Sequence, residues 1–293
     1  MSNLLTRIAV AAVAIPLALG LVWYGGLLLA LLVMLAAVLG TREFFVLAER
    51  TGVRPLRGLG MTLAALAPFT TWLLAGERPM VDLGFFPLFL LVQWPRAGSL
   101  MLVVVLAAVL ARRAPGERPL SAAAVTLLGP LYCGALPSAL LVIRYAAGPE
   151  RSWGATWLVF FPLAVTWLCD SFAMWGGKLV GGPKLFPSVS PGKTRSGAAF
   201  GVLGGVATAL LFGPLALQPV GRAFSLGLAA AMGLVIAVTA QVGDLVESLF
   251  KREAGVKDSS ALIPGHGGVL DRLDSLYFVL PVTALLYRAL GVL

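Results

Sequence analysis

The chain has 293 residues, of which 59% are hydrophobic and only 12% charged, with a mean hydropathy of +0.94. A soluble domain carries about 25% charged residues, and a chain this apolar lacks the polar surface to cover a water-facing globule. The formal net charge of +9 would suggest nucleic acid in a soluble domain. Here the basic residues stand at the ends of apolar runs, where they set orientation and meet anionic headgroups. Membrane lipids, and no nucleic acid, are the partners this charge implies.

A membrane crossing needs about 20 residues. The first run, residues 8–24, follows Arg7 in the manner of a signal peptide. The next run, 27–47, begins almost at once without a small-residue cleavage site, so a retained first helix is expected. The run 59–75 comes third. The stretch 83–93 is short, and Pro95 removes a backbone donor soon after it. Residues 83–111 therefore read as one interrupted or re-entrant crossing, with 98–111 as its apolar part and two separate crossings as the alternative. Runs at 121–143, 154–175, 197–216, 224–243 and 276–290 complete about nine spans. Cys133 and Cys169 both fall in such runs, which suggests neither a disulfide framework nor a zinc site. Gly197, Gly201, Gly204 and Gly205 read as small residues for close helix packing.

With the N-terminus in the cytoplasm, alternation puts sixteen of the 22 Lys and Arg residues inside. Arg78, Arg144, Arg151 and Arg222 fall outside, and Arg96 and Arg288 are unassigned. That bias agrees with the positive-inside rule. The expected fold is an all-α polytopic integral membrane protein of about nine transmembrane helices with a cytoplasmic-side active site. Residues 1–150 form N-terminal membrane scaffold helices. Residues 151–293 form a C-terminal catalytic membrane region with polar loops 176–196 and 244–274.

Asp170 lies near the cytoplasmic end of its run. Gly176, Gly177, Gly181 and Gly182 are expected to make a flexible basic loop with Lys178 and Lys184. Ser190 followed by Pro191 reads as a helix entry, a capping hydroxyl with proline at the first helical position. Lys193, Thr194 and Arg195 then suit a phosphate at that helix start. An ordinary positive-inside loop with a normal cap is the alternative reading.

The densest polar text runs from Gly243 to Asp274. Asp244, Glu247 and Ser248 are spaced to share one helix face, which Lys251 continues. Lys257 and Asp258 are adjacent. Gly265, Gly267 and Gly268 flank His266, the single histidine of the chain, and Asp271 and Asp274 repeat the i, i+3 spacing. Carboxylates can hold Mg²⁺ together with phosphate oxygens, Lys and Arg neutralise phosphates, and a glycine loop offers backbone N–H groups to an anion. This set suits phosphoryl or nucleotidyl transfer, which is mostly positioning and charge stabilisation. A charged loop laced with salt bridges is the plainer alternative. His266 reads as a structural hydrogen-bonding residue or a general base, and Glu247 and Glu253 equally as solvated or supporting groups or as direct catalysts.

The string from Ser248 through Lys251-Arg252, Lys257-Asp258, Pro264-Gly265-His266-Gly267-Gly268 and Asp271-Arg272-Leu273-Asp274 resembles the signature of the phosphatidate cytidylyltransferases. Asp170-Ser171, Ala173, Gly177 and Ser190-Pro191 extend the resemblance upstream. The resemblance implies transfer of a cytidylyl group from CTP to phosphatidic acid, giving CDP-diacylglycerol and pyrophosphate, at the cytoplasmic face of the inner (plasma) membrane. It implies Mg²⁺, with a second, monovalent cation such as K⁺, and metal binding by Asp244 and Asp271. It also implies catalytic positions at Asp244, Lys251, Arg252, Lys257, Asp258, His266, Asp271, Arg272, Asp274, Ser190 and Lys193. A homodimer is expected for a membrane protein of this kind, with no interface legible. The chain departs from the family's Ser-Pro-Lys-Lys-Thr-x-Glu-Gly pattern at Gly192 and Ser196, and has Met174 and Lys178 where tyrosine and arginine are common. A polyprenol kinase, an ion-coupled transporter and a catalytically inactive relative are the competing readings.

Overall fold

A computed structural model describes residues 3–76, 85–148, 151–222, 224–263 and 267–293. Among them, six helical segments are long and apolar enough to cross a membrane. Helix α1 spans Asn3–Tyr24, α2 Gly26–Arg50, α3 Arg57–Gly76 and α4 Phe85–Arg112. Helices α5 (Pro119–Pro130) and α6 (Ala139–Ala146) are joined through a π turn at Leu131–Ala135 and together make one span-length segment. Helix α7 covers Trp153–Val180, α8 Arg195–Phe212 and α9 Leu226–Glu253, with short α10 (Leu270–Leu273) and α11 (Leu276–Ala289) closing the chain. The long segments are α2, α3, α5 with α6, α7, α8 with its π extension, and α9; Ile15–Tyr24 and Gly98–Arg112 are shorter apolar helices. Leucines such as Leu35, Leu66, Leu179 and Leu203 stay exposed on the outer faces, as expected where lipid rather than water is the neighbour.

The interruption expected within 83–111 does not occur: α4 is a single helix from Phe85 to Arg112, and residues 83 and 84 lie outside the described residues. A helix can carry a proline when the freed carbonyl finds other partners, so Pro95 does not divide the element. The all-helical expectation also needs one correction. Strand β1 (Lys184–Phe186) pairs antiparallel with β2 (Ser190–Thr194), a small ribbon between α7 and α8.

Among the described residues three clusters hold the bundle, the smallest packing Leu56, Val105, Val109 and Ala123. The largest joins Leu29, Leu141, Leu158, Phe161, Ile236 and Tyr287 with their neighbours. The second is aromatic, with Phe44, Phe45, Tyr132 and Tyr277 buried together. Helix α8 packs between α7 and α9 because its buried face is made of four glycines and Ala209. A Cβ at Gly197 would stand 2.7 Å from the Ala173 carbonyl oxygen, and one at Gly205 2.6 Å from the Ala237 Cβ. Such small-residue faces let backbones approach without a hydrophobic driving force. Gly176 and Gly177 belong to the same packing inside α7, not to a flexible loop; a Cβ at Gly176 would meet Phe200.

Candidate active site

Helix α9 is the spine of the site. The run read as ending at 243 continues to Glu253, which puts Asp244, Glu247, Ser248 and Lys251 on one face at spacings of three and four residues. Gly243 makes room for what lies opposite. A Cβ there would sit 2.8 Å from the Asp274 carbonyl oxygen and 3.0 Å from the Ser275 Cα, so α9 touches the backbone between α10 and α11 directly.

Two charged groupings share this face. In the first, Lys193 from β2 forms an ion pair with Asp244, and the Ser248 hydroxyl donates to Asp244 Oδ1 at 3.3 Å. In the second, Lys251 pairs with the fully buried Glu247 and donates to Asp271 Oδ1 at 2.7 Å. Seven residues separate Asp244 from Lys251, about 10 Å of helical rise. Asp244 and the carboxylate bound to Lys251 therefore serve the same face and the same end of α9.

Asp271 is also the knot of the signature loop. Its Oδ2 accepts from the Ser259 N–H at 2.9 Å, the Ser259 hydroxyl at 2.8 Å and the Gly268 N–H at 2.8 Å. Burial opposes its ionisation, but Lys251, Gly268 and Ser259 together hold its carboxyl down at about 2. Asp274 goes the other way. Burial and the negative charge of Asp244 push it up to about 6, against the Ser275 N–H and the charges of Lys251 and Arg272.

A residue that sequence reasoning assigned to the scaffold completes the loop. Glu43 on α2 is 5% exposed. Its carboxylate accepts from the Ser259 hydroxyl at 3.0 Å, the Ser260 hydroxyl at 2.7 Å, the Val269 N–H at 3.2 Å and the Leu270 N–H at 2.8 Å. The two backbone donors belong to the entry of α10, which explains the last glycine of the loop, Gly268. A Cβ at Gly268 would lie 2.2 Å from Ser259 Oγ and 2.3 Å from Glu43 Oε2. The signal was available: an acid inside the apolar run 27–47 is costly and calls for a partner.

The remaining predicted positions divide clearly. Arg252 is exposed and donates to the Val189 and Val256 carbonyls at 3.1 and 2.8 Å. Lys257, Asp258 and Arg272 are exposed around the same loop. His266, with Pro264 and Gly265, lies outside the described residues. Ser190 does not cap a helix. It stands opposite Phe186 in the ribbon, and the cap is Thr194, whose hydroxyl accepts from the Gly197 N–H at 3.0 Å. Both hydroxyls met the composition rule for a cap, but only Thr194 adjoins the glycine face that α7 requires. Glu247, read as solvated or supporting, is fully buried and is the partner of Lys251.

The departures at 192 and 196 also have places. Nothing lies within 4 Å of a Cβ at Gly192. Ser196 donates to the Gly181 carbonyl, tying α8 to the end of α7.

Among the described residues no three His, Cys, Asp or Glu side chains converge as a ready-made metal site. Asp170 interacts electrostatically with Asp244 and Asp274 and with Lys193 and Arg272, so three carboxylates face two cations, a set that suits a hard cation only together with oxygens from a substrate. Mg²⁺ favours one or two such carboxylates together with substrate phosphates.

Helical architecture and this centre define a multi-pass membrane protein with a buried ionic site at one end of α9. Comparison with known proteins gives it a place. The sequence pattern of the cytidylyltransferase family matches residues 5–290. The phosphatidate cytidylyltransferase of Brucella abortus biovar 1 (strain 9-941) is 34% identical over 287 residues, 98% of this chain and 93% of the relative. That of Synechocystis sp. (strain ATCC 27184 / PCC 6803 / Kazusa) is 31% identical over 297 aligned positions, 94% of each chain. The chloroplastic phosphatidate cytidylyltransferase 5 of Arabidopsis thaliana is 33% identical over 277 residues, 88% of this chain and 65% of the relative. The chain belongs to the cytidylyltransferase family.

Proposed function

We propose that this protein transfers the cytidylyl group of CTP to phosphatidic acid, forming CDP-diacylglycerol and releasing pyrophosphate. The observation that carries the reading is the shared face of α9, where Lys193 meets Asp244 and Lys251 meets Asp271 at the membrane border of a chain whose relatives bear that name. The reading includes nine crossings, with α1, α4 and α11 added to the six long segments, and a site facing the cytoplasm at the inner membrane. The lipid keeps its acyl chains in hydrocarbon and brings its phosphate to the border. The phosphate oxygen forms a bond to the α-phosphorus of CTP as the bond to the β-phosphate oxygen breaks, so no general base is required.

Mg²⁺, together with a monovalent cation such as K⁺, would supply charge neutralisation for the phosphates, and Asp244 and Asp271 are the residues that would hold the divalent ion. Lys193, exposed enough to leave Asp244 for a phosphate, aligns the triphosphate. Arg252, Lys257 and Arg272 offer charge to the departing pyrophosphate, with Asp258 and Asp274 orienting them. Glu43 and Gly268 fix the loop that presents Asp271. Lys251 stays with Glu247 and Asp271 and offsets part of their negative charge.

The test is pyrophosphate release by purified protein with phosphatidic acid and each nucleoside triphosphate in turn, with Mg²⁺ present or chelated. Release with CTP alone, lost on chelation and in Asp244→Asn, is expected. Transfer of a terminal phosphate from ATP without pyrophosphate would assign the protein to lipid kinases instead.

A further inference from the structure

A second charged feature lies away from α9. A cleft of about 710 Å³ opens between the end of α2, the start of α3 and the end of α4, lined by Glu49, Arg54, Arg57, Arg112 and Arg113 among others. Four arginines thus face one carboxylate, and Arg57 already takes that carboxylate through two hydrogen bonds. Arg54 and Arg112 are exposed, and among the described residues neither side chain is paired with a carboxylate. Arg113 is anchored. Its Nη2 donates to the Arg54 carbonyl at 2.9 Å and its Nη1 stands 3.7 Å from Glu117. Its buried Nε–H has no acceptor, and a buried donor without a partner costs free energy until something accepts from it.

The surroundings are apolar. Leu110, two residues before Arg112 on α4, is 85% exposed, and Leu120 at the start of α5 is 83% exposed. Six residues separate Glu43 from Glu49, about 9 Å along α2, so the cleft lies toward the same end of α2 as the signature loop but outside it. Planar, doubly donating guanidinium groups match phosphate oxygens better than a diffuse positive surface does. Orientation of the chain alone needs basic residues in the loop; it needs neither a concave arrangement nor an unmet buried donor.

We propose that this cleft binds a phosphate-bearing anion, the headgroup of an anionic lipid at the membrane border being its nearest source. The phosphate sits among Arg54, Arg112 and Arg113, with acyl chains along the exposed leucines. Glu49 limits the affinity by holding Arg57.

Calorimetric titration of the full chain in neutral detergent tests this, using dihexanoyl phosphatidylglycerol, dihexanoyl phosphatidylcholine and inorganic phosphate as probes. Phosphatidylglycerol should bind saturably, about tenfold or more weakly in Arg54→Ala/Arg112→Ala and more tightly in Glu49→Gln. Phosphatidylcholine should bind far more weakly than phosphatidylglycerol. Inorganic phosphate that displaces phosphatidylglycerol at comparable concentration identifies the free ion as occupant, and failure to displace it identifies the lipid. Equal phosphatidylglycerol affinity in wild type and the double variant, equal binding of the two lipids, or no binding of any probe would overturn the proposal. Among the described residues neither arginine's side chain makes an ion pair with another element, and Glu49→Gln acts in the opposite direction, so a folding defect cannot imitate the full pattern.

Discussion

Glu43→Ala removes the one acceptor that four loop donors share. Two of these are serine hydroxyls, which can turn to other partners; Ser259 already has Asp271 at 2.8 Å. The Val269 and Leu270 N–H groups cannot turn. They stand at 3.2 and 2.8 Å from Glu43, and Leu270 is fully buried. A buried donor left unmet costs about 1–3 kcal/mol; that applies to Leu270, while the part-buried Val269 amide adds less, so the substitution should cost about 1–4 kcal/mol. The loop can relieve part of that by opening, which moves Gly268 and Ser259 away from Asp271. Hydrogen exchange of the Val269 and Leu270 amides, measured with thermal unfolding in detergent, should show lost protection, and pyrophosphate release should fall at least tenfold. Glu43→Gln keeps one oxygen and the shape, and should lie between. Native protection of those two amides in the alanine variant would refute the clamp, because nothing else described accepts from them.

Two further outcomes follow from the same geometry. Lys251→Met leaves Glu247 and Asp271 buried without their shared cation, and breaking such a pair costs about 3–5 kcal/mol; a melting temperature near wild type would show that water reaches both acids. Asp274, held at about 6 against an ordinary value of about 3.9, keeps a proton in the folded state that the unfolded chain releases. The folded protein is therefore favoured at low pH, and this contribution is lost as pH rises from about 4 to about 6. Thermal unfolding across that window without divalent cation should show the slope, and Asp274→Asn should flatten it.

The membrane class, most of the long helices and the polar stripe of α9 were legible because hydropathy and a 3.6-residue period are local properties. The glycine face of α8 was legible for the same reason. The start of α8 was not. Ser190-Pro191 satisfies the local rule for a helix entry, but pairing with residues 184–186 is a non-local matter that no cap rule contains. Continuity of α4 through Pro95 was missed because the lost hydrogen bond of a proline was taken to end the helix, which a long apolar helix can tolerate. Glu43 was missed through its neighbourhood: within an apolar run of the N-terminal half it looked like part of a scaffold. Its function appears only when the loop 259–270 closes over it, more than 200 residues later in the chain. The division at residue 150 into scaffold and catalytic region therefore hides a contact that the signature loop needs.

The signature also gives two carboxylates three residues apart opposite electrostatic settings, and environment alone separates them. Asp271 has four donors and stays ionised; Asp274 has burial and the charge of Asp244 against it and stays responsive. Asp271 divides its two oxygens as well. Oδ2 takes the three donors of the loop, whereas Oδ1 takes only Lys251 and so faces α9, the helix that carries Asp244. A carboxylate accepts about four hydrogen bonds or ligands over its two oxygens, and the loop uses the oxygen turned away from α9. The oxygen on the α9 side keeps spare capacity beside a lysine whose second partner, Glu247, can retain it. One side chain can thus anchor the loop through Oδ2 and serve the phosphate chemistry through Oδ1. Asparagine at 271 can keep its one oxygen on the loop donors while turning an amide NH2 toward Lys251, so it should lose the second role and retain much of the first, whereas asparagine at 244 has only the second to lose.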